Sequence, residues 1–138
     1  MFNETAKSLQ VMIVDDQKAM RSIIRALLSQ HDINNVTEAA DGVDVMKNLL
    51  DCQRPNPDVS ICDLHMENMD GMEFCNKVRL RKIEAIKAIP ILILTDERDK
   101  MPLEVAKQVG ATAVLGKPIS ASDLCGHIES AVGFSFSN

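Results

Sequence analysis

The sequence predicts an α/β domain built on a parallel sheet with helices on both faces, and three observations carry that expectation. Five short apolar segments alternate with five helical segments from end to end, the order that repeated strand–helix units generate. The strand segments are near-continuous runs rich in Val and Ile, as burial on both sides of a sheet requires. Four of the runs end on residues able to handle a phosphate or a hard metal. Val11-Met12-Ile13-Val14 leads into Asp15-Asp16, Val59-Ser60-Ile61-Cys62 into Asp63, Ile91-Leu92-Ile93-Leu94 into Thr95, and Ala113-Val114-Leu115-Gly116 into Lys117-Pro118. Parallel strands present their C-terminal ends at one edge of a sheet, so the four ends converge.

Each element has a local reason. After the first strand, Met20, Ile23, Ile24, Leu27 and Leu28 recur at helical spacing, so residues 18–30 form an amphipathic helix starting near Asp16 or Gln17. A short second strand covers Asn35–Glu38. Asp41-Gly42 punctuates the chain, and Val43, Met46, Leu49 and Leu50 mark a second helix that Pro55 and Pro57 end before the third strand. Asp70-Gly71 opens a helix carrying Met72, Cys75 and Val78, followed by a charged stretch from Arg79 to Lys87. Pro90 introduces the fourth strand, and residues 99–109 read as a helix stopped by Gly110. After the fifth strand, Ser120 with Asp123 has the form of a capping box ahead of a last helix bearing Leu124, Ile128, Ala131 and Val132.

Length and charge bound the function. The chain has 138 residues, 46% of them hydrophobic and 25% charged, with a formal net charge of -5. That is one domain able to bury a core. An acidic balance without a basic stripe excludes direct nucleic-acid binding as the expected function. No apolar run reaches the roughly 20 residues needed to span a bilayer, and the N-terminus lacks a secretory signal. A cytoplasmic protein with no membrane role is expected. Cys52, Cys62, Cys75 and Cys125 are spaced too irregularly for a disulfide scaffold. Cys62 and His65 make a C-x-x-H pair, but no second pair follows, so a buried structural Cys62 is expected rather than zinc.

The convergent strand ends point to phosphoryl chemistry. Three carboxylates gathered in one cleft, Asp15, Asp16 and Asp63, repel one another unless a cation neutralises them. An all-oxygen ligand set suits Mg2+. A hydroxyl at Thr95 and an ammonium at Lys117 can spread the charge of a transferring phosphoryl group. Asp63 is then the nucleophile, because an aspartate carboxylate can attack phosphorus.

At these residues the chain resembles the receiver domain of bacterial two-component response regulators, most closely the small chemotaxis-type members. The likeness covers residues 9–132, leaving 1–8 as an N-terminal extension and 133–138 as a C-terminal tail. Its motifs are Val14-Asp15-Asp16, Met20-Arg21, Asp63-Leu64-His65-Met66 with Met69-Asp70-Gly71, Thr95, and Lys117-Pro118. The resemblance implies a doubly wound, CheY-like (flavodoxin-like) five-stranded sheet of order 2-1-3-4-5 with five helices. It implies that Asp63 is phosphorylated by a histidine kinase or a histidine phosphotransfer protein, in a signalling switch rather than an enzyme. Asp15, Asp16, Asp63 and the backbone carbonyl of His65 would hold Mg2+, Lys117 would grip the phosphoryl group, and Thr95 would move toward it. The output is a change in protein binding, with an unknown output protein and a chain that is a monomer or weak dimer.

Two departures bear on switching. An aromatic residue commonly stands three positions before the lysine in receivers; here it is Val114, and the chain has no Tyr or Trp. Asp96, followed by Glu97, takes the place of a small residue after the switch hydroxyl, and its carboxylate is expected to slow phosphorylation, dephosphorylation or both. Taken singly, Asp15 or Asp16 could cap a helix, Lys117 could precede a turn, and Thr95 could start a loop. Their order at four strand ends argues for one site. Two alternatives stand beside the switch: a degenerate receiver acting as a phosphorylation-independent interaction module, and an aspartate-dependent phosphatase. The latter commonly has a second acid two residues after the nucleophile, and Asp63-Leu64-His65 lacks it.

Overall fold

A computed structural model of the chain describes residues 8–40, 57–64, 75–76, 78–80, 88–95, 108, 110–117 and 119–133. Its strands are β1 (Gln10–Val14), β2 (Asn35–Ala39), β3 (Val59–Asp63), β4 (Ile91–Thr95) and β5 (Ala113–Gly116). They form one parallel sheet in the order β2-β1-β3-β4-β5. The strands run up to one residue past the apolar runs at their polar ends, because ladder pairing needs the backbone and not an apolar side chain. Asp63 still pairs with Leu94, and Thr95 with Gly116.

Helix α1 (Lys18–Ser29) follows β1, and α2 (Ala121–Val132) closes the described chain. Cys75, Asn76, Val78 and Arg79 are also helical, and the Leu80 N–H donates to the Asn76 carbonyl at 3.1 Å. The helix expected from Val43 onward and most of that expected over 99–109 lie outside the described residues.

Alternation along the strands divides the core in two. On one face Val11, Ile13, Val59, Ile61, Leu92 and Leu94 meet Ile24 and Leu28 of α1 and Leu124 and Ile128 of α2. On the other, Met12, Val14, Cys62, Ile91 and Ile93 pack with Cys75, Val78 and Ile89. Both layers exclude water, and each buried branched aliphatic side chain contributes about 1.5–3 kcal/mol. Burial on both faces explains why β1, β3 and β4 lack polar alternation, whereas the edge strand β2 keeps Thr37 and Glu38.

The turns follow local chemistry. The Ser120 hydroxyl accepts from the Asp123 N–H at 3.1 Å and starts α2. Gly133, expected in the tail, instead caps that helix at φ 82°, a left-handed conformation that suits glycine. Gly110 adopts φ 113°, and its carbonyl accepts from Arg79 Nε at 3.1 Å and Nη2 at 2.7 Å. Arg79 Nη1 donates to the Ile89 carbonyl at 2.7 Å. One guanidinium therefore ties the end of a helix to the segments entering β4 and β5.

Candidate functional site

Strand register places the predicted residues at one edge. Val14 pairs with Cys62, so Asp15 is level with Asp63 at the next step. Asp63 pairs with Leu94, and Thr95 pairs with Gly116, directly before Lys117. Asp15 and Asp63 are in phase with the core face that α1 and α2 cover. Thr95 is in phase with Ile91 and Ile93 on the opposite face, where Val114 also packs.

The acidic group is compact. Asp15, Asp16 and Asp63 each offer a carboxylate oxygen, and these atoms lie within 4.8 Å of one another. Asp15 and Asp63 are buried, whereas Asp16 is exposed. Lys117 Nζ donates to Asp63 Oδ1 at 2.9 Å, a charge-assisted bond joining the end of β3 to the residue after β5. The Lys117 backbone N–H donates to the Thr95 carbonyl at 2.9 Å, fixing the lysine beside β4. Thr95 itself is buried.

Asp15 does not cap α1, whose N-cap is Gln17 with no side-chain bond, and its two carboxylate oxygens differ in surroundings. Its Oδ1 accepts from the Gln17 N–H at 2.8 Å, a local turn that leads into α1. Its Oδ2 is buried and has no hydrogen-bond partner among the described residues. Burial raises the Asp15 pKa, and the nearby charges of Asp63 and Asp16 raise it further; the Gln17 N–H and the Lys117 charge oppose them. A buried, unpartnered carboxylate oxygen beside two more carboxylates is costly without a positive group in reach. The donor set is oxygen only, and it fits a hard divalent cation.

Arg21 and Glu38 form part of the surroundings that residue spacing did not reveal. Arg21 Nη1 donates to the Asp15 carbonyl at 2.6 Å and its Nε to Glu38 Oε1 at 2.9 Å. The sequence signalled Arg21 only as a motif residue, and no spacing rule links position 21 to position 38. Cys62 is buried on the face opposite Asp63, with its Sγ donating to the Asp63 carbonyl at 3.3 Å. His65, Asp96 and Glu97 lie outside the described residues. So do residues 66–74 and the charged stretch after Leu80.

A parallel 2-1-3-4-5 sheet with acids after β1 and β3, a hydroxyl after β4 and a lysine after β5 defines a phosphate-handling switch fold. The response regulator receiver domain profile matches residues 11–129, and the chain belongs to that family of two-component signalling proteins. Receiver domains are signalling switches that interact with histidine kinases and output domains. Chemotaxis protein CheY-3 of Vibrio cholerae is 30% identical over 118 residues, spanning 86% of this chain and 87% of its own length. The structure of V. cholerae CheY4 is 32% identical with a TM-score of 0.77, covering 89% of this chain and 98% of that one. The receiver domain of the Pseudomonas aeruginosa sensor histidine kinase PA1611 has the same fold. It matches at 23% identity and a TM-score of 0.77, over 91% of this chain and 98% of that one, and was solved with a magnesium ion in its active-site cleft.

Proposed function

We propose that the chain is a cytoplasmic phosphorylation switch in which Asp63 accepts a phosphoryl group from a histidine kinase or histidine phosphotransfer protein. One observation carries the reading: Lys117 Nζ sits 2.9 Å from Asp63 Oδ1 within a carboxylate cluster whose Asp15 Oδ2 is buried and unpartnered. Asp15, Asp16 and Asp63, with the His65 backbone carbonyl, hold Mg2+. When bound, Mg2+ neutralises the carboxylates and draws charge from the phosphoryl oxygens.

An Asp63 carboxylate oxygen forms the new bond to phosphorus, and the phosphorus–nitrogen bond of the donor phosphohistidine breaks. Its electron pair leaves on the imidazole nitrogen, which takes up a proton. Lys117 exchanges part of its contact with Asp63 for a phosphoryl oxygen, and the Thr95 hydroxyl donates to another. These groups act by position and charge, the main requirements of phosphoryl transfer. Asp96 and Glu97 adjust the rates of gain and loss. The modified site shifts a pre-existing equilibrium between protein-binding surfaces.

Acetyl phosphate with Mg2+ is expected to label wild-type protein and to leave Asp63→Asn unlabelled. Lys117→Ala is expected to be labelled roughly 10²–10³-fold more slowly, the usual loss on removing one charge-stabilising donor. Labelling that persists in Asp63→Asn would overturn the assignment. Val114 favours a second reading, a constitutive interaction module, because it removes the aromatic side chain expected three residues before Lys117. That reading requires partner binding that is equal in wild type and Asp63→Asn with and without phosphodonor.

A further inference from the structure

Among the described residues, no hydrogen bond holds the exposed Asp16 carboxylate, so its backbone matters to where it is placed. That backbone is restrained at Asp15. The Asp15 N–H donates to the Ala39 carbonyl of β2 at 3.1 Å, and the Asp15 carbonyl accepts from Arg21 Nη1 at 2.6 Å. The carbonyl belongs to the peptide plane between Asp15 and Asp16, so its direction sets where the Asp16 Cα and carboxylate go.

Arg21 is itself anchored. Its Nε meets Glu38 Oε1 at 2.9 Å, and Arg25 holds the other oxygen, Oε2, with Nε at 2.8 Å and Nη2 at 2.6 Å. Glu38 thus sits on β2 between two arginines of α1. The rigid fork of Arg21 donates to Glu38 and to the Asp15 carbonyl in two fixed directions. A lysine offers donors from only one nitrogen.

We propose that Arg21, braced by Glu38, is a positioning residue that orients the Asp15–Asp16 peptide and thereby the acidic pair toward a divalent cation. The inference rests on the Mg2+ reading of the acidic cluster. Outer groups that orient ligands typically change metal affinity by about 10–100-fold when removed. Arg21 would do so through a backbone carbonyl, without touching the cation.

The test is titration of full-length, metal-free protein with Mg2+ alone, followed by calorimetry, alongside thermal melts of the same samples without metal. Arg21→Met is expected to weaken Mg2+ binding about 10-fold or more. Arg21→Lys is expected to be weakened as well, since it keeps the charge and loses the fork. Glu38→Gln is expected to lose about 10-fold, at the lower end of that range.

Affinity within twofold of wild type in a folded Arg21→Met, or full recovery in Arg21→Lys, would overturn the positioning role. So would lowered melting temperatures with unchanged affinity, the signature of a purely structural residue. If Arg21→Met does not fold, Glu38→Gln decides: weakened binding supports the role and unchanged affinity overturns it. Wild-type protein that binds no Mg2+ overturns both this inference and the metal reading beneath it, whereas binding that is merely insensitive to Arg21 overturns this inference alone.

Discussion

At the scale of single residues, Asp15 concentrates the conflict in the site. Its pKa is raised by burial first, so the metal-free folded state binds a proton more tightly than the unfolded chain, whose reference value is 3.8. Above that value the native state holds more protons, and stability falls as pH rises through the interval up to the folded pKa. Asp15→Asn is expected to remove this loss. Its metal-free melting temperature at neutral pH should exceed that of wild type. The advantage should vanish below the unfolded value. Cys125 is a buried group outside the acidic cluster. Its thiol is pushed up to about 11 by desolvation, aided by the Glu129 charge, and Cys62 and Cys75 are also buried. Mass spectrometry after brief native alkylation at pH 8 should find all three unmodified, and denatured protein should be modified at each.

At the scale of elements, the central strands β1, β3 and β4 were legible because buried parallel strands are written as apolar runs, and α2 was legible because Ser120 and Asp123 announce its start. Sequence spacing undercounted strand ends at Asp63 and Thr95, where polar side chains stand on paired backbone. The order of the strands was not legible from the residues, since five similar apolar runs carry no label of adjacency; it came from the family resemblance. Arg79 was legible only as the start of a charged stretch. Its partners are carbonyls 10 and 31 residues away, and carbonyls have no sequence signature. A Cβ built on Gly110 would lie 2.7 Å from Arg79 Cγ, at a positive φ that side chains disfavour. Gly110→Ala is therefore expected to displace Arg79 and destabilise the protein by about 1–3 kcal/mol in urea melts. Arg79→Ala should make Gly110→Ala less costly, because the steric part of the penalty disappears.

At the scale of the whole molecule, the site and the fold share one electrostatic cost. Under the Mg2+ reading proposed above, carboxylates that repel in the metal-free protein would become ligands when a cation enters, which would link binding to folding. Mg2+ at 100 times its dissociation constant is expected to stabilise wild type by about 2.7 kcal/mol, and EDTA to reverse the gain. Asp15→Ala should show little of either response. The candidate site was largely legible because its five principal residues lie at strand ends that topology must bring together. Its supporting groups were not, because α1 and β2 had to be docked before Arg21 could meet Glu38.

The phase of the sheet separates Asp15 and Asp63 from Thr95 and Val114. The proposed phosphoryl acceptor and Asp15 belong to one side, while the proposed switch hydroxyl and the residue in place of the usual aromatic belong to the other. A sheet built in this way is a partition with a shared rim. If Asp63 is the acceptor proposed above, substitutions on the Val114 face are expected to alter the output surface while leaving the acidic rim intact.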